Sequence, residues 1–424
     1  MKYVPRWIEQ RLLEISEQFP ALLVTGPRQV GKTTLLRHLC RPERRYVTLD
    51  DFALRSLARE DPALFLQRFE APVLIDEIQY APELLPYLKM LVDESREKNL
   101  VWMTGSQPLH VMQGVNESMA GRVAIINLFA FTRREKYGLD YPRETIEVSD
   151  GVPFIGSPVG SRRKASDETD MSTGLDEALT LKDVFEDIWK GFFPVLCTGE
   201  VKERDVFYRS YIQTYMERDV RELAQVGDQA TFFKFLRVCA ARTAQMVNLS
   251  KMARDADISV PTAKKYLSIL EMSYQVKLVD AYHDNRTKRA VKSPKLYFLD
   301  TGLCSYLTQW SSPETLAAGA MNGALFENYV YVELLKRYVN NLKQPLFFYY
   351  RDRDDREIDL IIERDGVLHP IEVKLGATPR KSWIRHFSAL TNIDKKIGHG
   401  FVICLCPQTM PLSRTVTVLN AGMI

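Results

Sequence analysis

Short apolar runs alternate with helical patterns along the first third of the chain. The runs predict buried β-strands near residues 21–25, 46–49, 73–75, 100–104 and 124–128. Stretches in which apolar residues recur at helical spacing, such as residues 83–97, lie between them. Continuous apolar strands joined by crossover helices are typical of a parallel sheet that is covered on both faces. We therefore predict an α/β domain with a parallel sheet over residues 1–148.

The pattern changes twice further along the chain. Residues 149–180 are rich in Gly, Ser, Pro and charge, and hold few apolar residues to bury, which predicts a flexible linker. Residues 181–310 are mostly helical in pattern. Residues 311–424 return to a mixed α/β pattern, with a helix over 325–338 and strands near 346–350, 357–363, 367–374 and 400–405.

Composition is that of an ordinary soluble protein and excludes few functions. The 57 Lys and Arg residues exceed the 54 Asp and Glu residues by only three, so a basic surface must be local. The six cysteines are scattered without metal-ligand spacing, and we interpret them as reduced, buried thiols. No run approaches the roughly 18 apolar residues of a membrane span, and the start of the chain lacks a signal peptide's apolar core. We expect a cytoplasmic protein with no membrane partner.

A glycine-containing loop follows the first predicted strand. It reads Gly-Pro-Arg-Gln-Val-Gly-Lys-Thr over residues 26–33 and precedes an amphipathic helix, the context that a phosphate-binding loop requires. The glycines permit a tight turn, and the backbone N–H groups together with the start of the helix attract phosphate. The predicted triphosphate-binding residues are Gly26, Pro27, Arg28, Gln29, Val30, Gly31, Lys32, Thr33 and Thr34.

Two carboxylates follow the third predicted strand, about 45 residues after the loop. With the Thr33 hydroxyl, Asp76 is predicted to hold Mg²⁺, usually through water. Glu77 is predicted to orient or deprotonate the attacking water, while Lys32 reaches the β- and γ-phosphates. The loop and the carboxylate pair together predict ATP and Mg²⁺ as cofactors.

Two further residues are candidates for catalysis. Ser106, at the tip of the fourth strand, either senses the γ-phosphate or is only part of a polar turn. Arg122 either stabilises transition-state charge, in its own subunit or in a neighbouring one, or forms a surface salt bridge. Action on a neighbour would require a homo-oligomer.

Residues 248–270 have the pattern of a helix-turn-helix. Ser250 is predicted to cap the first helix, residues 257–259 to form the turn, and Pro261 to lie in the first turn of the second helix. Strands predicted at 276–282 and 295–299 enclose a basic loop, which completes a winged-helix arrangement suited to DNA. The alternative is a winged helix used for packing or protein contacts. The basic residues of the loop are Arg286, Lys288, Arg289, Lys292 and Lys295.

Charged residues near the C-terminus form a second candidate site. Glu372 and Lys374 are separated by one residue in a strand and project to the same face, where Asp359 of the neighbouring strand can meet them. Glu327, in the predicted helix, adds a further carboxylate. The set resembles the core of the PD-(D/E)xK nucleases, with Ile358 where the family pattern has Pro. That resemblance implies a nuclease-like domain that holds Mg²⁺ and cleaves a phosphodiester, or one that only binds.

The chain as a whole resembles a large prokaryotic family of AAA+-type ATPases. The motifs at residues 26–34, 74–79, 104–106 and 120–122 carry the resemblance of residues 20–135 to its ATPase domain. Residues 211–220 and 295–303 are similar to the C-terminal domain of unknown function usually paired with it, and residues 149–180 lie outside the resemblance. The resemblance implies ATP binding and hydrolysis.

Three hypotheses about function follow. The first is a Mg²⁺-dependent ATPase whose turnover rearranges a DNA-binding C-terminal region. The second is an ATP-dependent DNA nuclease, which needs the C-terminal carboxylates to act. The third is a nucleotide-switched signalling or scaffold protein whose winged helix contacts protein.

Overall fold

A five-stranded parallel sheet forms the first part of the chain. In this computed structural model, residues 3–106, 119–139, 178–215, 229–283 and 293–424 are described. The strands run in the order β2-β3-β4-β1-β5, and every neighbouring pair is parallel. The predicted parallel sheet is therefore confirmed. Its strands are β1 (Ala21–Thr25), β2 (Arg45–Thr48), β3 (Val73–Asp76), β4 (Val101–Gly105) and β5 (Val123–Asn127).

Apolar side chains cover both faces of this sheet. Along β1, Leu22 and Val24 pack into one hydrophobic cluster, while Ala21 and Leu23 pack into another. Successive residues of a strand point to opposite faces, so an unbroken apolar run is what a sheet buried on both sides requires. The helices around the sheet are α1 (Glu9–Ser16), α2 (Lys32–Leu39), α3 (Phe52–Glu60), α4 (Pro62–Arg68), α5 (Leu84–Ser95) and α6 (Arg133–Tyr137), with a 3₁₀ helix at Ile78–Tyr80.

A mostly helical region follows, with a small antiparallel sheet. The helices are α7 (Leu181–Lys190), α8 (Pro194–Cys197), α9 (Arg204–Tyr215), α10 (Gln229–Ala240), α11 (Leu249–Ala256), α12 (Val260–Met272), α13 (Thr301–Leu307) and α14 (Pro313–Ala318). The strands β6 (Gln245–Met246), β7 (Val276–Val279) and β8 (Lys295–Phe298) pair in the order β6-β8-β7. Four of the five basic loop residues predicted from the sequence, 286, 288, 289 and 292, lie outside the described residues.

Helices α11 and α12 are joined by the turn that the sequence predicts. Asp257 has a left-handed backbone, and Ser259 accepts a hydrogen bond from the backbone N–H of Thr262 to cap α12. The predicted cap of α11 was wrong. Asn248, not Ser250, accepts the hydrogen bond from the N–H of Lys251, because the helix begins one residue after Asn248 and Ser250 already lies inside it.

The last part of the chain builds a mixed sheet against a long helix, α15 (Asn322–Asn340). The main path of the sheet runs β14-β15-β13-β11-β10-β9, with β12 paired to β11. Pairs are antiparallel from β9 to β11 and parallel from β11 through β13 to β15. The strands are β9 (Phe347–Arg351), β10 (Glu357–Arg364), β11 (Val367–Val373), β12 (Lys396–Ile397), β13 (Gly400–Cys404), β14 (Met410–Ser413) and β15 (Val416–Asn420), and 3₁₀ helices span Lys381–Asn392 and Ala421–Met423.

One apolar cluster extends from the first sheet, through the helical region, to the C-terminal sheet. Most of the predicted linker, residues 149–177, lies outside the described residues. Its last residues are built into the fold, because the Asn420 side chain hydrogen-bonds both the N–H and the C=O of buried Leu179. The domain boundaries drawn at residues 148, 180 and 310 stay predictions. No helix among the described residues has the length and apolar character that a membrane crossing demands.

Candidate functional site

Polar side chains converge at the carboxyl edge of the parallel sheet. The loop of residues 26–31 follows β1, Asp76 and Glu77 lie at the end of β3, and Ser106 follows β4. Because β4 lies between β1 and β3, the Ser106 tip stands between the loop and the carboxylate pair. The carboxyl edge of an α/β sheet is where such folds place their ligands.

The loop closes tightly against the neighbouring strand end. Gly26 has φ +144°, and a Cβ there would lie 2.1 Å from the carbonyl oxygen of Leu128. Gly31 has φ +90° at the start of α2, a conformation that side chains disfavour. Lys32 is 6% exposed, and its ammonium donates to the carbonyl oxygens of Gly26 and Pro27 at 3.1 and 2.7 Å. The ammonium therefore lies within the concave side of the loop.

Asp76 is the centre of a hydroxyl network. The Thr33 and Thr104 hydroxyls each donate to its Oδ1 at 2.6 Å, and the Tyr46 hydroxyl donates to its Oδ2 at 3.2 Å. Burial, followed by the charge of Asp76, raises the pKa of Tyr46 above its ordinary value. Thr33 and Asp76 together present the hard oxygen ligands that Mg²⁺ prefers, and two protein ligands suffice when phosphates and water complete the octahedron.

Glu77 has an uncommon backbone and a fixed side chain. Its φ of 59° is left-handed, which for a residue other than glycine is often found at functional sites. Its Oε2 accepts hydrogen bonds from Gln79 Nε2 and, at 3.3 Å, from the Ser106 hydroxyl. Gln79 also donates to Ser106 Oγ at 3.1 Å, so the three side chains form a closed network.

Gln79, Thr104 and Tyr46 were not predicted from the sequence. Tyr46 and Thr104 reach Asp76 from the two neighbouring strands, so only the strand order brings them to it, whereas Gln79 follows Glu77 by two residues and contacts Ser106 across the sheet. Two sequence signals exist: Thr104 precedes Gly105 at the end of a buried strand, and Gln79 lies two residues after Glu77.

Arg122 lies at the opposite edge of the sheet. Its carbonyl accepts from the N–H of Ala21, the first residue of β1, and the five residues of β1 separate it from the loop by about 16 Å. Its guanidinium makes two hydrogen bonds to Asp93, the salt bridge that the sequence left as one alternative. The structure therefore does not bring Arg122 to the site of its own chain.

Six charged residues converge between β8, α15 and the C-terminal sheet, and we call them the C-terminal charged cluster. The buried Lys295 ammonium lies 3.1 Å from a Glu327 oxygen and 2.6 Å from a Glu357 oxygen. Lys374 lies 2.5 Å from Glu372 and 3.4 Å from Asp359. The members are Lys295, Glu327, Glu357, Asp359, Glu372 and Lys374.

This cluster corrects one prediction and extends another. The sequence analysis placed Lys295 in a basic loop. In the structure Lys295 is the first residue of β8 and only 2% exposed, because β8 pairs with β7 and Lys295 is buried. Glu327, Asp359, Glu372 and Lys374 do meet, but as ion pairs. No three His, Cys, Asp or Glu side chains in the described ranges are arranged to hold a metal ion.

Burial changes the proton affinity of this cluster. It raises the pKa of Glu372 to about 8, the negative charge of Asp359 adds to the rise, and Lys374 opposes it. Burial likewise raises the pKa of Glu327 to about 7 against the opposing charge of Lys295. Glu372 Oε2 is buried without a hydrogen-bond partner among the described residues, so the protonated form of this carboxyl is the less costly one.

Stability should fall as pH rises from about 5 to 8. Folded Glu372 holds its proton up to about 8, whereas the unfolded chain releases it near the ordinary value of 4.5, so the folded state binds more protons in this window. A Glu372→Gln variant, which cannot titrate, should lose this part of the pH dependence, on the order of 3 kcal/mol. Urea unfolding of both proteins across the window measures the difference, and parallel profiles would contradict the assignment.

The second helix of the helix-turn-helix pattern presents a polar face. Lys264, Lys265 and Ser268 are exposed on α12, while Ala263, Leu267 and Leu270 are buried. Tyr266 and Ile269 are buried as well.

Comparison with known families gives the class of this fold. Residues 18–137 match a family described as an AAA domain. Residues 181–314 and 322–424 match two families described as domains of unknown function, DUF8612 and DUF4143. The match and the parallel sheet together show an AAA-type P-loop ATPase fold in the first part of the chain.

Individual relatives add little about activity. An uncharacterized protein of Mycobacterium tuberculosis is 28% identical over 418 residues, which cover 98% of this chain and 83% of that protein. A Mycobacterium bovis protein matches with the same figures.

The Walker-type ATPase of Pyrococcus abyssi aligns with a TM-score of 0.39 and 16% identity, over 72% of this chain and 96% of that one. The RuvB Holliday junction branch migration motor of Thermotoga maritima aligns with a TM-score of 0.31 and 14% identity, over 65% and 89%. TM-scores this low support no conclusion about the function of this chain.

Proposed function

We propose that the chain is a Mg²⁺-dependent ATPase whose nucleotide site lies at the carboxyl edge of the parallel sheet. The observation that carries the proposal is the contact between Thr33 Oγ1 and Asp76 Oδ1, 2.6 Å apart, made by the residue that follows the buried Lys32. In this proposal the contact supplies two oxygen ligands for Mg²⁺, and Lys32 supplies a cation for the phosphates.

Each residue has a distinct task in this proposal. The N–H groups of the loop and the ammonium of Lys32 bind the phosphates, and Lys32 exchanges its present carbonyl partners for phosphate oxygens. Mg²⁺ neutralises the charge that develops on the phosphates. Glu77 orients the attacking water or accepts its proton, and the hydrogen bonds from Gln79 and Ser106 hold its carboxylate in position.

Replacing Glu77 with glutamine should block turnover and leave binding intact. The amide keeps the shape of the side chain but cannot accept the proton, so steady-state phosphate release should fall at least about 100-fold. The affinity for ATP, measured by titration in Mg²⁺, should change less than about threefold. Glu94→Gln, at an exposed position of α5, is the matched control. Normal phosphate release by the Glu77 variant would contradict this role.

We also propose that the helical region is a winged helix that contacts DNA. Helices α10 to α12 and the antiparallel strands β6, β8 and β7 have the order of elements expected for it, and α12 presents Lys264 and Lys265 to solvent. Nucleotide turnover would then rearrange this region relative to the ATPase domain. The alternative function of this region is contact with protein.

Salt titration of DNA binding tests this second proposal. Each phosphate contact that is lost should reduce the slope of log affinity against log salt by about 0.9, so Lys264→Ala with Lys265→Ala should reduce it by nearly two. Lys182→Ala, at an exposed site of α7, should leave the slope unchanged. If no DNA binds at low salt, the contact with protein is favoured instead.

No observation favours strand cleavage at the C-terminal charged cluster. The ammonium groups of Lys295 and Lys374 pair with the carboxylates that a catalytic cation would need, and no three carboxylates among the described residues are arranged to hold such a cation.

A further inference from the structure

A short segment at the start of the chain lies against the phosphate-binding loop. Residues 3–8 precede α1 and fall outside residues 18–137, the part of the chain that matches the AAA domain. The buried cation of this segment is Arg6, whose side chain is 3% exposed. Its guanidinium donates to the carbonyl oxygen of Val30 at 3.0 Å and to that of Phe129 at 2.8 Å. Arg6 therefore joins the loop to the residues that follow β5.

The contact with Val30 fixes one peptide group of the loop. A trans peptide is planar, and its C=O and N–H bonds point in opposite directions. Val30 and Gly31 share a peptide group, so the hydrogen bond that holds the Val30 carbonyl directs the N–H of Gly31 away from Arg6. Gly31 has φ +90°, but glycine adopts positive and negative φ about equally, so its own backbone does not select this orientation over a flipped one. The hydrogen bond from Arg6 makes that selection.

The orientation of this N–H group bears on phosphate binding. Gly31 immediately precedes α2, and the backbone N–H groups at the start of a helix are donors for phosphate oxygens. A flipped peptide would turn the Val30 carbonyl oxygen, which repels phosphate, to the side where the N–H now points.

Arg6 acts on the loop through geometry more than through charge. Glu135 lies 3.2 Å from the guanidinium, and its side chain is only 2% exposed. The pair is neutral as a whole, so its field at the loop is small. What the guanidinium supplies is a planar set of donors in fixed directions, which lets one side chain hold two carbonyl oxygens and a carboxylate together.

The anchor of Arg6 is itself held from several sides. Glu135 belongs to α6, and the Lys336 ammonium of α15 donates to the carbonyl oxygen of Phe131, just before that helix, at 2.7 Å. Lys136 of α6 pairs with the buried Asp187 of α7. A side chain can position a backbone group only when its own support is fixed, and these contacts fix it.

We propose that Arg6 is a positioning residue for phosphate binding, which holds the Val30 carbonyl so that the N–H of Gly31 faces the phosphates of the nucleotide. The inference rests on the proposed nucleotide site and adds to it a residue from outside the part of the chain that matches the AAA domain. Arg6 contacts neither phosphate nor Mg²⁺ and acts only through the backbone of the loop.

Replacing Arg6 with lysine tests this role. Lysine keeps the charge but lacks the planar fork that reaches two carbonyl oxygens. ATP and inorganic tripolyphosphate, each with Mg²⁺, are titrated calorimetrically into both proteins. Both affinities should fall at least about tenfold and by the same factor, because the defect lies in the contacts to phosphate. Wild-type affinity for ATP in Arg6→Lys would overturn the proposal.

Arg204→Lys is the matched control for a purely structural effect. Arg204 is also buried, and its guanidinium also donates to two carbonyl oxygens, those of Trp189 and Gly302, but in the helical region. Urea unfolding measures the stability that each variant loses. Arg204→Lys should keep its affinity for ATP within about threefold of wild type, since it leaves the loop unchanged. Equal losses of affinity in the two variants would overturn the proposal, because the loss of a buried guanidinium would then explain both.

The peptide group between Val30 and Gly31 can be observed directly. Labelling valine with ¹³C at the carbonyl and glycine with ¹⁵N selects the three Val–Gly pairs of the chain in an NMR spectrum, and Val30→Ile assigns the signal of Gly31 by removing it. Saturating tripolyphosphate should shift this signal in the wild-type protein. Arg6→Lys should shift it without ligand, whereas Arg204→Lys should not. A wild-type signal that does not respond to tripolyphosphate would overturn the proposal even if Arg6→Lys fails to fold.

The outcomes separate this inference from the nucleotide site beneath it. Wild-type protein that binds neither ATP nor tripolyphosphate would contradict both. Wild-type binding that Arg6→Lys retains in full would contradict the positioning role alone.

Discussion

Replacing Lys32 with alanine is expected to abolish nucleotide binding. The Lys32 ammonium is buried inside the loop, where removal of one charged partner of a phosphate typically costs about 3–5 kcal/mol, or more than about 100-fold in affinity. Backbone N–H groups alone cannot offset this loss, because the repulsion among the phosphates remains. Equilibrium titration with a fluorescent ATP analogue in Mg²⁺ measures the effect.

A control separates this role from a general effect of charge. Lys98 is exposed at the amino edge of the sheet, and Lys98→Ala removes the same charge far from the loop. That variant should bind with wild-type affinity. Equal affinities for the Lys32 variant and the wild type would show that the loop does not hold the phosphates.

Replacing Lys295 with methionine is expected to destabilise the protein by about 3–5 kcal/mol. The substitution keeps most of the volume but leaves Glu327 without its cation and Glu357 with Arg351 alone, and a broken buried ion pair is costly. Chemical denaturation followed by circular dichroism gives the free energy of unfolding.

A nearby lysine and a double variant make the Lys295 result specific. Lys277 pairs with Glu271 at the surface, so Lys277→Met should cost less than about 1 kcal/mol. Adding Glu327→Gln to Lys295→Met removes one uncompensated charge and should restore part of the loss. If Lys295→Met were as stable as the wild type, the cluster would not depend on its internal cation.

The strands of the first sheet could be predicted because each one is a short continuous segment of the sequence. Each of the three central strands, β1, β3 and β4, is one buried and mainly apolar run, which a sheet covered on both faces requires. The loop and the carboxylate pair were predictable for a related reason, since both lie directly at strand ends. Confirmation of the strands therefore placed Lys32, Thr33, Asp76 and Glu77 at one edge, while the roles of these residues stay predictions.

The features that could not be predicted depend on contacts between segments that are distant in sequence. Lys295 resembles a member of a basic loop in the sequence, and only the pairing of β8 with β7 and its packing on α15 reveal its burial. The position of Arg122 could not be predicted either. Arg122 directly precedes β5, so its distance from the site depends on the direction in which β5 runs.

Calorimetric titration of Mg²⁺-ATP into the purified wild-type chain tests the central claim most directly. A nucleotide site at residues 26–34 with Asp76 predicts one saturable site per chain, and a clear loss of affinity when Mg²⁺ is chelated. Absence of saturable binding at millimolar ATP, or binding indifferent to Mg²⁺, would contradict it.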